Sequence, residues 1–268
     1  MSVLLWILIF SLLGGVLSVL AASAFLLVPD KKRTQLLPHM VSFAIGALLG
    51  AAFLGLLPHA LASPQVTDLH DITLTVLIGI LTFFLLEKLV LWRHCHSIEC
   101  EVHGADETDD HHHKHQDEKL APAGSLVLIG DGVHNFVDGV LIAAAFLTDI
   151  HLGIVTALAV AAHEIPQEVG DFAILLQSGF SRKKALLFNL LASLATVVGA
   201  LIAYFSLSSA EAIVPYVLAI AASSFIYIAV ADLIPGLHKR TSAKESVQQV
   251  SLISAGILII YLAHSTLH

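Results

Sequence analysis

The chain has 268 residues, 57% of them hydrophobic and only 13% charged, with a formal net charge of −8 when histidines are counted neutral. A soluble domain usually carries about 25% charged residues, so the composition sets this chain apart from soluble enzymes and binding modules. Two cysteines are too few for a disulfide framework, and no nucleic-acid signature is visible.

The apolar residues come in runs of about twenty, the length that crosses a bilayer as a helix. They predict an all-α polytopic membrane protein with eight spans, at about 3–28, 37–61, 72–93, 123–147, 152–178, 185–206, 212–235 and 247–265. The start, MSVLLWILIF, lacks the basic region of a secretory signal and reads as the first span. Four connections carry Lys or Arg: DKKR at 30–33, the stretch from Arg93 to Lys119, SRKK at 181–184 and HKRTSAKE at 238–245. The other connections, SPQVTDLHD, LTDIHL and SLSSAEA, carry none. All thirteen Lys and Arg residues therefore fall at or near one face. The positive-inside rule makes that face cytoplasmic, which places both termini outside and requires an even number of spans. The whole chain, 1–268, reads as a single transmembrane domain.

Gly46 and Gly50 form a GxxxG in the second span, which suits close helix packing. The second span ends FLGLLPHAL and the seventh ends VADLIPGLH, so Pro58 and Pro235 align behind small-residue segments. With opposite directions across the membrane, this is the pattern of an inverted repeat. The hydrophilic loop at 94–119 holds seven histidines, two cysteines and eight acids, with almost nothing apolar to bury, and is expected to be disordered on the cytoplasmic side. Two readings fit it: a solvated linker, or a weak metal collector or sensor.

Two polar stretches interrupt the apolar runs: GDGVHNFVDGV at 130–140 and HEIPQEVGDF at 163–172. Together they carry two histidines, an asparagine, a glutamine and five carboxylates. One carboxylate at the bilayer centre costs roughly 2.5–3.5 kcal/mol, so five facing lipid unpaired would cost on the order of 15 kcal/mol. Bound metal cations are the compensation that fits His, Asp, Glu and Asn. His134 and His163 each lie about twelve residues into their spans, roughly 18 Å at 1.5 Å per residue, so both reach the midplane from opposite faces. A six-residue connection makes these spans antiparallel neighbours. Asp131, His134 and Asp138 share one stripe at i, i+3, i+7, with Asn135 about 100° round the helix. On the next span His163 and Gln167 are one turn apart, Glu164 and Glu168 repeat that spacing one step round, and Asp171 continues the polar face. Such columns suit one metal, or two neighbours sharing bridging carboxylates. Pro166 leaves the Ala162 carbonyl without its helical partner, a kink tolerated where backbone lines a polar cavity. Packing by a satisfied polar network explains a lone histidine or asparagine in a span. It does not explain seven ionisable residues on two neighbouring spans. The enzyme alternative is an intramembrane zinc hydrolase, since HEIPQ looks like HExxH; Gln167 stands where the second histidine would be. A third reading is a metal-sensing receptor that signals through the His-rich loop.

HNFVDG at 134–139 and HEIPQEVGDF at 163–172 resemble the helix 4 and helix 5 signatures of the ZIP (Zrt-, Irt-like protein) family of divalent metal transporters. They are closest to the subgroup with HNFxDG and HEIPHExGD. The His-rich loop and the eight-span, termini-out arrangement resemble that family too, so the likeness covers the whole chain. It implies a binuclear transport site between helices 4 and 5. By motif position His134, Asp138, His163 and Gln167 would form the primary site, with Asn135 and Glu164 contributing to the second; Glu168 also lies in the motif. Gln167 departs from the subgroup's second histidine. The resemblance further implies that helices 1, 4, 5 and 6 move as the transport element. His59, at the outer end of the second span, fits an entrance, and Asp232 and His238, at the inner end of the seventh, fit an exit; solvation at the interface explains each of them equally well. The expected substrate is Zn²⁺, with Fe²⁺, Mn²⁺ or Cd²⁺ as further divalent cargo moving into the cytoplasm, and no organic cofactor is called for. Expected partners are divalent metal ions and the lipid bilayer, and a homodimer is a possible assembly. Compact length without a large ectodomain suggests a bacterial plasma membrane.

Overall fold

The computed structural model describes residues 2–97, 121–238 and 242–267. Most of the His-rich loop, residues 98–119, lies outside the described residues. Within them the chain is helical and contains no strand. Eight helical rods follow in order: α1 (Val3–Phe25), α2 (Asp30–Ala62), α3 (Leu69–Ser97), α4 (Ala121–Thr148), α5 (Ile150–Gln177), α6 (Arg182–Leu207), α7 (Glu211–Leu237) and α8 (Ala243–Leu267). Seven of them contain stretches long and apolar enough to cross a membrane. The other is α5, which has 28 residues, about 42 Å of helix. Length does not separate it from the rest; Glu164, Glu168 and Asp171 do.

Local chemistry sets the helix ends. The Ser2 side chain accepts from the Leu5 N–H at the start of α1, and the Ser181 side chain accepts from the Lys184 N–H at the start of α6. Between α4 and α5 the expected six-residue connection shrinks to Asp149 alone. Its N–H donates to the Ala145 carbonyl, while its carboxylate accepts from His151 and Leu152 at 2.8 and 3.0 Å. One residue thus ends α4 and caps α5, and the two helices become a tight antiparallel hairpin. α5 ends where Gly179 adopts φ +85°, a left-handed conformation open to glycine, and Phe180 N–H reaches back to the Leu175 carbonyl.

Three rods contain widened π-helical turns, at Leu13–Leu17, Ala51–Leu56 and Ile228–Leu233. The last two each stop two residues before a proline, Pro58 or Pro235. A proline ring has no N–H and crowds the carbonyl four residues back, so the preceding turn relaxes to the wider spacing. The short sequence likeness between FLGLLPHAL and VADLIPGLH therefore has a backbone counterpart. The widened turn of α2 packs on Val214–Tyr227, and that of α7 packs on Asp30–Gly50, so the two rods run antiparallel.

The tightest helix pairs approach backbone to backbone. A Cβ on Gly139 of α4 would overlap the Thr196 carbonyl of α6, and one on Gly46 of α2 would overlap the Ile253 carbonyl of α8. The GxxxG of α2 is thus a packing surface for α8, as the small residues suggest. The core fills the space between α2, α4, α5 and α7, with Phe146, Leu152, Leu218 and Phe225 fully buried. Trp6, Phe10 and Phe146 stack across α1 and α4 at ring separations of 5.4–6.5 Å. Outward faces are apolar as well, with Leu77, Leu81 and Leu85 of α3 and Leu187, Leu191 and Ile202 of α6 exposed.

Candidate metal centre

His134 stands thirteen residues beyond the first residue of α4, and His163 thirteen beyond the first of α5, roughly 20 Å along each helix. The hairpin brings them together at mid-depth. Their Nε2 atoms are 3.3 Å apart. His134 Nε2 also lies 3.3 Å from Glu164 Oε1 and 3.8 Å from Asp138 Oδ2, while His163 Nε2 lies 3.3 Å from Asp138 Oδ2 and 3.7 Å from Glu164 Oε1. Asp138 and Glu164 are fully buried, His163 nearly so, and both carboxylates lack any hydrogen-bond partner.

These distances are five edges of a four-cornered cage. Zinc bound tetrahedrally by nitrogen and oxygen at about 2.0–2.2 Å requires ligand–ligand edges of about 3.3–3.6 Å. The observed edges of 3.3–3.8 Å match that polyhedron closely. Orientation matches too. His163 Nδ1–H donates to the Ala159 carbonyl at 3.0 Å, because a carbonyl only accepts, and this leaves the Nε2 lone pair aimed into the cage.

A second cluster adjoins the first. Asp131, Glu164 and Glu168 bring carboxylate oxygens within 4.8 Å of one another, all three buried. Glu164 belongs to both groups, which is the bridging arrangement that two ligand columns allow. Three carboxylates this close and this buried can all be ionised only with positive charge beside them. A bound divalent cation is the simplest group that supplies it.

The remaining motif residues fall as follows. Asn135 is fully buried and occupied on both sides: its amide N–H donates to Asp131 Oδ1 at 2.8 Å, and its oxygen accepts from Thr196 Oγ1 of α6 at 2.7 Å. It holds Asp131 in position and ties α4 to α6. Gln167 lies one turn beyond His163, half-buried, and among the described residues its amide makes no hydrogen bond. Asp171 is half-buried on the same helix, and Asp232 of α7 is exposed. Sequence reasoning left Asp131 out of the ligand set although the i, i+3 stripe with His134 contains it. Thr196 and Asn189 of α6 carry no motif of their own. Asn189 is buried with its amide facing the Glu168 carboxylate. A neutral residue on an apolar helix gives no sequence signal of which neighbour it faces.

Thr196→Val tests the Asn135 tie. It removes a donor and leaves a buried amide oxygen unsatisfied, a loss of about 1–3 kcal/mol. Thermal unfolding of the purified variant should show that loss, and zinc should stabilise the variant less than it stabilises the wild type.

The two ends of the α4/α5 hairpin pack differently. Ideal Cβ atoms on Gly130, Gly132 and Gly170 would meet only open space. All three lie toward the end where α5 turns into α6. Toward the Asp149 end, Phe146, Leu152 and Phe225 seal the hairpin, and the Phe225 ring packs edge-on against His163 at 6.2 Å.

Comparison with known proteins gives the family. The family model described as ZIP Zinc transporter matches residues 2–264. The chain is 33% identical over 299 residues to Zinc transporter zipt-7.2 of Caenorhabditis elegans, covering 93% of this chain and 64% of that protein. It is 34% identical over 238 residues to Zinc transporter ZIP13 of Pongo abelii, covering 84% and 66%. It is 31% identical over 310 residues to the Zinc transporter ZIP13 homolog of Drosophila melanogaster, covering 94% and 87%. Against the first two the chain thus spans just under two thirds of the relative's length. These relatives are animal proteins and lend no support to a bacterial origin, and a hydrolase finds no support among them. With a family match running from end to end over paired motif helices that converge at mid-depth, the chain belongs to the ZIP zinc transporter family.

Proposed function

We propose that this protein carries divalent metal ions, zinc foremost, across a membrane into the cytoplasm through the centre between α4 and α5. The observation that carries this reading is the four-donor cage of His134, Asp138, His163 and Glu164, buried at mid-depth with both carboxylates facing the two imidazoles. In this reading all eight rods span the bilayer. The basic connections lie inside and both termini lie outside. α5 crosses despite its carboxylates because they face metal and α4 rather than lipid. The proposed location is a cell membrane. The apolar faces of α3 and α6 meet lipid or a second copy of the chain in a homodimer.

The ligand set mixes imidazole and carboxylate, which suits borderline first-row cations and admits Fe²⁺, Mn²⁺ and Cd²⁺ beside Zn²⁺. The cage holds the primary ion. Asp131, Glu164 and Glu168 hold a second ion next to it, with Asn135 positioning Asp131. The open side at Gly130, Gly132 and Gly170 leads to the cytoplasm and is the release route, with Asp171 and Asp232 along it. Phe146, Leu152 and Phe225 form the outer gate. Uptake requires that gate to open and the inner one to close, so α4 and α5 move against α2 and α7 as the ion exchanges waters for side chains. His and carboxylate ligands release protons as metal binds. The His-rich loop lies on the receiving side.

Purified protein in liposomes offered zinc alone tests the function. Saturable uptake with no organic substrate is the expected result; a zinc-binding protein with no net flux would return the hydrolase and sensor readings. Gln167→His tests the ligand set in the same assay. A neutral amide gives way to imidazole one turn from His163, so zinc should bind more tightly and maximal uptake should fall as release slows.

A further inference from the structure

A second pair of histidines meets far from the centre. His59 closes α2, and His264 lies in the last turns of α8. The two rods run in the same direction, Gly46 against Ile253 and Gly50 against Ile257, so these residues come together at one end of the molecule. That end also holds Asp149 and is opposite the open side of the α4/α5 centre.

The ring placement of the pair is close to that of His134 and His163. Ring centroids of His59 and His264 are 5.4 Å apart with planes at 73°; those of His134 and His163 are 5.6 Å apart at 80°. Two imidazoles that share one tetrahedral zinc at about 2.0–2.1 Å have ring centres about 5.2 Å apart. The tautomer repeats as well. His59 Nδ1–H donates to the Gly55 carbonyl at 2.9 Å, four residues back, just as His163 donates to Ala159. This fixes the lone pair on Nε2, the atom a metal takes. Both rings are half-buried, so they are held in place yet reachable. His59 also lines a cavity of about 540 Å³ at the ends of α4, α6 and α7, together with Gln65, Thr148 and Glu211. Water from that cavity can complete the coordination of a two-imidazole site.

We propose that His59 and His264 together bind one divalent metal ion of the zinc type, separate from the clusters of α4 and α5. Two protein ligands with waters make an exchangeable site rather than a closed structural one. Resting on the transport reading, in which this end faces outside, the pair captures metal before it enters. From the cavity floor at Leu218, two helical turns along α7 lead to Phe225, which lies against His163.

Equilibrium dialysis of the full-length purified protein against radiolabelled Zn²⁺, carried to saturation, tests this. His59→Ala and His264→Ala should each lose about one zinc per chain. The double variant should lose no more than either single one, because both ligands serve the same ion, and His264→Cys should restore the lost equivalent by supplying another zinc donor. Unchanged stoichiometry in the single variants would overturn the proposal, and so would losses that add in the double variant. The readout is bound metal, so absent flux in liposomes would sink the transport reading and leave this site standing.

Discussion

Glu164→Gln should abolish zinc uptake and at the same time make the metal-free protein more stable. The two effects share one cause. Glu164 is the residue common to the four-donor cage and to the Asp131–Glu168 cluster, and neither of its oxygens has a hydrogen-bond partner. Without metal its charge faces the Asp131 and Glu168 carboxylates on one side and the His134 and His163 imidazoles, 3.3 and 3.7 Å away, on the other; with both imidazoles neutral, the form that binds metal, the carboxylate repulsion decides the sign. Glutamine keeps the shape and removes the charge, so unfolding without zinc should move to higher temperature. With zinc the order should reverse. A ligand at 100 times its dissociation constant stabilises the folded state by about 2.7 kcal/mol per site, and the variant forfeits that at both clusters. Bound zinc should fall by about two equivalents per chain. A packing role for Glu164 gives the opposite signature, with stability lower in the absence of metal and zinc stabilisation unchanged.

Gly139→Ala and Gly170→Ala should differ in sign. Glycine to alanine within an exposed helix gains up to about 1 kcal/mol from propensity. At Gly170 nothing lies within 4 Å of the new methyl group, so that gain should appear in thermal unfolding. At Gly139 the methyl group would overlap backbone atoms of Thr196 and lie close to Ala200 on α6. Neither helix can yield without moving the other, and overpacking of this kind costs about 1–3 kcal/mol. The displacement reaches the centre directly, because Thr196 also donates to Asn135, which holds Asp131. Gly139→Ala should therefore be unstable and also weak in zinc binding. Equal stability of the two variants would mean that α4 and α6 are not packed backbone to backbone.

How much of this was legible in the sequence follows from the kind of signal each feature leaves. His134, Asp138, His163 and Glu164 stand out because ionisable residues in an apolar run are costly, and helical spacing alone puts them on facing columns. Gly46 and Gly50 were readable as a packing surface for the same local reason. Other features depend on distance in the chain. Nothing in LTDIHL announces that Asp149 alone would make the turn, because threonine and the apolar residues on either side continue the helices equally well. Thr196 and Asn189 sit 61 and 54 positions beyond Asn135, on a helix apolar on most of its faces. Which way they point is decided by Gly139 and Gly199, where α4 and α6 touch. Asp131 lay in view on the His134 stripe, yet its partners Glu164 and Glu168 come from the other helix, and only the hairpin register brings them together.

The central claim is that metal crosses the membrane through the buried cage of α4 and α5. Its most direct test is radiolabelled zinc uptake into liposomes holding equal amounts of folded wild type or Asp138→Asn. Asp138 lies 3.3 Å from His163 Nε2 and 3.8 Å from His134 Nε2, with no other partner. Changes one shell further out already cost about 10–100-fold in metal sites, so loss of the ligand charge should reduce uptake by at least about 100-fold while wild type shows saturable flux. Uptake by Asp138→Asn close to that of wild type would contradict the account and place the route for metal elsewhere in the molecule.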